Sequence, residues 1–149
     1  MSVYLVPFDN LSVTNDSDQD IFELTAPSDA AVKLIGFELY SAVTTDERVR
    51  LRLVRRSTAG SGGAAATEVP ANGTSAALGA SVTQLNTTPG TIGDILLAFY
   101  WSQLSPLPYT PIPEAMIIVP PSGKIALNLE TAVASTRNWS GWLAFAELG

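Results

Sequence analysis

A chain of 149 residues, 46% hydrophobic and only 15% charged, is sized for one domain that buries its own core. At this length roughly 70% of the unfolded surface leaves water, so neither metal nor disulfide is required for stability. The absence of histidine and cysteine removes the commonest metal ligands, the side chain that titrates near neutral pH and the strongest nucleophile, closing most routes to catalysis and to a bound cofactor. Fourteen acidic against eight basic residues leave a net charge of −6, which repels phosphate backbones and argues against a nucleic-acid partner.

The first residues, Met1 to Pro7, lack a basic region and a long apolar stretch, and no apolar run approaches the ~18 residues of a membrane span. The chain is therefore expected to be made and kept in the cytoplasm, without a membrane partner. Met1 to Phe8 reads as a strand with Val3 and Leu5 on one face and Tyr4, Val6 and Phe8 on the other; two apolar faces predict burial on both sides. Asp9 to Asp18 reads as a turn, and Asp20 to Thr25 as a second strand. Ala31 to Val43 predicts a long strand, bent at Gly36, with Ile35, Phe37 and Leu39 on one face.

Glu47 to Arg56 carries the cleanest alternation, Val49, Leu51 and Leu53 against Arg48, Arg50 and Arg52. Guanidinium groups about 6.8 Å apart along one strand face repel unless carboxylates lie opposite, which predicts pairing with Glu38 or Glu130 of the same chain or with a neighbouring subunit. Ser57 to Asn72, built from Gly, Ala, Ser and Thr, reads as a long mobile or partner-ordered loop. A short helix is the weak candidate at Thr74–Ala80, and Ser81 to Leu85 reads as a strand.

Asp94 to Ser102 sets Ile95, Leu97, Phe99 and Trp101 against Leu96, Ala98 and Tyr100, which predicts a central strand or a subunit contact. The prolines of Leu104 to Pro113 then impose a stiff, extended connection. Ala115 to Val119, Lys124 to Thr131 and Asn138 to Leu148 complete the set. Eight or nine strands without helical periodicity predict an all-β, jelly-roll-like antiparallel β-sandwich, a single domain over residues 1–149.

Candidate chemical motifs are thin. Asn15 to Asp20 opens like a calcium loop, but Ile21 stands where the turn glycine belongs and Pro27 where the bidentate glutamate belongs, so a solvated turn is preferred. Asp46, Glu47 and Glu114 show no spacing that selects a glycosidase pair. A nucleophilic serine without histidine needs a lysine base, yet Lys33 and Lys124 both fall on the outward phase of strands. No metal and no catalytic residue is assigned. Trp101, Trp139 and Trp142 with Tyr100 and Tyr109 suggest an aromatic platform for sugar rings, but Trp139 and Trp142, three apart on one strand, point to opposite faces, so core and interface packing is favoured.

At Arg50-Leu51-Arg52-Leu53-Val54-Arg55-Arg56, the Gly/Ser loop running to Thr67-Glu68-Val69-Pro70, Trp101 with Pro111-Ile112-Pro113-Glu114, and the terminal Ser140-Gly141-Trp142-Leu143-Ala144-Phe145, the chain resembles the capsid decoration, or cement, proteins of tailed bacteriophages. The resemblance implies a β-sandwich subunit, commonly a homotrimer, that sits on the capsid surface of the virion where major capsid proteins meet and holds them against the pressure of packaged DNA. Such a protein works by contact rather than by chemistry. The expected contact residues are Tyr4, Val6 and Phe8 of the first strand, the arginines Arg48, Arg50 and Arg52, and Trp101, Tyr109, Pro111, Pro113 and Trp142. A carbohydrate-binding or host-attachment module, and a tail or baseplate component, are the alternatives.

Overall fold

The chain alternates between two antiparallel sheets, and its connections follow a roll. A computed structural model describes residues 1–15, 18–73 and 78–149. Its strands are β1 (Ser2–Val13), β2 (Gln19–Thr25), β3 (Ala31–Ser41), β4 (Arg48–Arg56), β5 (Ala64–Ala65), β6 (Val69–Pro70), β7 (Ser81–Asn86), β8 (Ile92–Ser102), β9 (Leu107–Tyr109), β10 (Ile118–Val119), β11 (Lys124–Leu129) and β12 (Arg137–Leu148). Eight of these have six or more residues, matching the number predicted; the other four are two- or three-residue ladders. A single 3-10 turn at Pro113–Ala115 is the only helical piece among the described residues. Of the helical candidate at 74–80, residues 74–77 lie outside the described residues, and Leu78 to Ala80 is irregular. Among the described residues no helix is long and apolar enough to cross a membrane.

The first sheet runs β10-β3-β12-β1-β6, with β9 also on β3, and the second runs β5-β7-β2-β11-β4-β8. The first strand pairs with the last and the second with the last but one, as if a long hairpin had been rolled up on itself. That is the jelly-roll arrangement, here with β5, β6 and β7 added beyond β1 and β2.

Between the sheets lie the apolar phases of the alternating strands. Phe22, Phe37, Phe145, Leu51, Leu53, Leu127 and Trp139 are fully enclosed, each contributing on the order of 1.5–3 kcal/mol by leaving water. Phe22 meets Phe37 edge-on at 5.6 Å between ring centres, and Phe37 stacks on Tyr109 at 5.2 Å. Trp101 and Trp139 pack edge to face at 4.9 Å. Each satisfies its indole N–H, Trp101 donating to the Ser105 carbonyl and Trp139 to Gln103 Oε1, as buried tryptophans require.

Local irregularities explain where the sequence reading slips. The predicted turn after Phe8 is a bulge within β1: pairing with β12 jumps between Phe8 and Leu11, Asn10 takes φ 51°, and its N–H finds Ser140 Oγ. Asparagine tolerates that left-handed conformation, and the extra residue shifts phase so that Leu11 and Val13 become buried. In β3 the pairing slips between Leu34 and Gly36, so Leu34 joins Phe37 and Leu39 inside while Ile35 is only half-buried. Strand β8, expected to be central or to lie at a subunit contact, is not central: it is an edge strand paired with β4 alone. Its two apolar faces are left half open rather than covered.

Candidate functional site

The arginine strand β4 sorts its cations by depth. Arg50 and Arg52 both reach Glu130, at 2.9 and 3.6 Å, the same-chain pairing expected of the ladder. Arg52 also donates to Asn128 Oδ1. Arg56 is buried and grips Asp20, Nη2 to Oδ1 at 2.7 Å, while its Nη1 donates to the Gly90 carbonyl. Asn128 ties the cluster together, its amide donating to both Asp18 and Asp20. Burial pushes the Asp20 carboxyl upward, against the pull of the Arg56 guanidinium.

This polar cluster occupies the outer face of the second sheet, and the Gly/Ser segment lies across it. Gly60 N–H donates to Glu23 Oε2 at 3.1 Å, Ser61 bridges Thr88, and β5 and β6 pair with β7 and β1. The loop expected to be mobile or partner-ordered is thus pinned by the chain itself. Burial also holds the Glu23 carboxyl above its usual range, with the Gly60 N–H opposing. The cluster is closed by its own partners, with every cation near it already bonded.

Asp46 and Glu47 are engaged as well. Glu47 binds Arg137 at 3.0 Å and accepts from the Ala134 N–H, and Asp46 accepts from Ser102 Oγ. Neither is free to act with the other as an acid and base. Asp16 of the calcium-like segment lies outside the described residues; among those described, no cluster of three acidic side chains is placed to hold a metal.

Of the predicted contact residues, Tyr4, Val6 and Phe8 are buried at 3%, 0% and 2% exposure, and Trp101 at 3%; all four belong to the core and present nothing to a partner. The reason is register: Tyr4 stacks on Phe145, and Phe8 on Phe22. Trp101 and Trp139 are both inside and take no part in a sugar platform, while Tyr100 is exposed and Tyr109 is half-buried. Arg48 is exposed, Arg50 and Arg52 are half-buried in their ion pairs, Tyr109 and Pro111 are half-buried, and Pro113 is exposed. Trp142 stands apart from these, half-buried on the outer face of the first sheet.

There Trp142 pairs across from Pro7 in β12·β1, and Leu5 pairs with Val69 of β6. Leu5, Pro7, Val69 and Trp142 line a shallow hollow of about 550 Å³, and every lining residue is apolar. Leu5 is 41% and Val69 45% exposed. The sequence announces this site through Trp142 and the second apolar face of its first strand, but alternation cannot say which of two apolar faces turns inward. A second hollow of about 300 Å³ lies among Ala42 to Thr45 and Thr136 to Asn138, with its one charged side chain, Arg137, held by Glu47.

No protein-family model, no curated protein and no solved structure matches the chain. The site therefore rests on its own geometry.

Proposed function

We propose that this protein is a structural component of a virion, a capsid decoration subunit that seats the apolar outer face of its first sheet on the protein shell by non-covalent contact. The observation that carries the reading is the hollow formed by Leu5, Pro7, Val69 and Trp142. A rigid sheet presenting contiguous apolar side chains with a tryptophan among them has the makings of a protein-docking centre. The stiff proline segment from Pro106 to Pro113, whose Ile112 is 66% exposed, offers a second preordered surface that loses little entropy on binding. The likeness to decoration proteins at Arg50–Arg56, Pro111–Glu114 and Ser140–Phe145 points the same way.

Cosedimentation with mature capsids of the virus that encodes the chain, stripped of their decoration protein, tests it. The unmodified chain is expected to pellet to a saturating, stoichiometric level, and Trp142→Asp to stay in the supernatant with its far-ultraviolet circular dichroism unchanged. A wild-type chain that never pellets would overturn the reading. Immunogold labelling of whole particles separates a head from a tail location.

A further inference from the structure

The two sheets have four edges, and three of them are blunted. Strand β6 is two residues long and contains Pro70; β9 is three residues with Pro108 at its centre; β10 is two residues followed by Pro120; β5 is the dipeptide Ala64–Ala65. Short strands and prolines are the usual means of denying an edge to another chain. The fourth edge, β8, has 11 residues, no proline and a single charge, Asp94. Ile92, Ile95 and Tyr100 on it are 42%, 52% and 73% exposed. Its pairing with β4 is irregular on the Ile92–Leu97 side and regular from Leu97 to Ser102, so the regular half offers an ordered row of backbone donors and acceptors on its free side, ending at the Ser102 carbonyl, which accepts from Ser105.

We propose that β8 is a self-association edge, pairing antiparallel with β8 of a second copy to join two sheets into one. Charge sets both the occupant and the direction. Asp94 lies toward the start of β8, and Arg48 is in register with Ser102 at its end. Neither the Asp94 carboxylate nor the Arg48 guanidinium has an ion-pair partner among the described residues. Antiparallel pairing brings the Asp94 end of each strand to the Arg48 end of the other, twice over in one two-fold contact. Parallel pairing would set like charges side by side, which costs energy. With the two-fold axis near Ala98, Leu97 of one copy lies across from Phe99 of the other and the reverse, the reciprocal pairing of an isologous interface. Such a contact closes a dimer; the threefold grouping implied by the likeness to decoration proteins needs a head-to-tail contact instead, so the solution mass separates the two.

Light scattering on the purified full-length chain, from about 1 to 100 μM, tests the proposal without capsids, so its outcome is independent of the cosedimentation result. The expected mass is that of two chains. Ala98→Lys, which places an ammonium group in the regular half of the edge, is expected to leave a single-chain mass with unchanged circular dichroism. Asp94→Arg is expected to weaken association about tenfold or more, and Asp94→Arg combined with Arg48→Asp to restore it, a rescue that a merely structural defect would not produce. A one-chain or three-chain mass for the unmodified protein across the range, or a dimer that survives Ala98→Lys, would overturn it.

Discussion

The two outer faces of the sandwich are opposites. On the second sheet, the outer face around β2, β4 and β11 carries Asp20, Glu23, Arg52, Arg56 and Asn128, and the chain's own Gly/Ser segment closes over part of it. On the first sheet, the outer face around β1, β6 and β12 carries Leu5, Pro7, Val69 and Trp142, and nothing among the described residues closes over it. A polar face that is roofed over must be fully bonded, because each unsatisfied buried charge is costly. An apolar face left bare loses the stabilisation that burial would bring. The contrast makes the polar face of the second sheet a structural device, and leaves the bare face of the first sheet as the surface on which the proposed function rests.

The sharpest way to break that contrast is to remove Arg56. Arg56→Leu strands the Asp20 carboxylate in a buried site, and urea unfolding is expected to report a loss of about 3–5 kcal/mol; a loss under 1 kcal/mol would mean that the polar face is not a structural device. Next comes Gly141→Ala on β12. A methyl there would run into the Glu38 carbonyl and Leu39 of β3, and Gly141 has φ 155°, so a loss of about 3 kcal/mol is expected in the same assay. Trp142→Ala, one residue along, is expected to change stability by less than about 1.5 kcal/mol, since its ring already faces solvent in part. A loss as large as that of a core tryptophan would place it in the fold rather than at a contact.

The smallest effect is expected at Glu23. Burial sets its folded pKa above that of the unfolded chain, so the fold prefers the neutral form. The favourable contribution is complete below the unfolded value of about 4.3 and is lost as pH rises through the folded value. Glu23→Gln keeps an acceptor for the Gly60 N–H and removes the charge. Thermal melts are expected to show the variant about 2 °C above the parent at pH 7, with the gap closing toward pH 4. A gap that widened on acidification would reverse the sign of the argument and tie the ionised carboxylate to stability.

Much of this architecture was legible in the residues. Alternation is a local, period-two signal, so β3, β4, β8, β11 and β12 were traceable from Phe37 and Leu39, Val49 to Leu53, Ile125 to Leu129 and their neighbours, and the repulsion among Arg48, Arg50 and Arg52 foretold a carboxylate such as Glu130. Phase failed where one residue was added, at Asn10 and at Ile35, because a bulge leaves almost no mark in composition. Edge or centre, covered or bare, are relations between segments far apart in the chain. Leu96, Leu97 and Phe99 read as a central strand whether or not a neighbour arrives on the second side. Likewise the first strand offered Tyr4, Val6 and Phe8 or Val3 and Leu5 as its inner row. The packing of Phe145 and Phe22 chose the first set, leaving Leu5 and Pro7 to meet Trp142 in the open. The residues determined that the chain forms strands with apolar faces and no histidine or cysteine chemistry; only the rolled connection of β1 to β12 and β2 to β11 decided which faces and which edge remain outside, because burial depends on what lies opposite and not on what lies next in sequence.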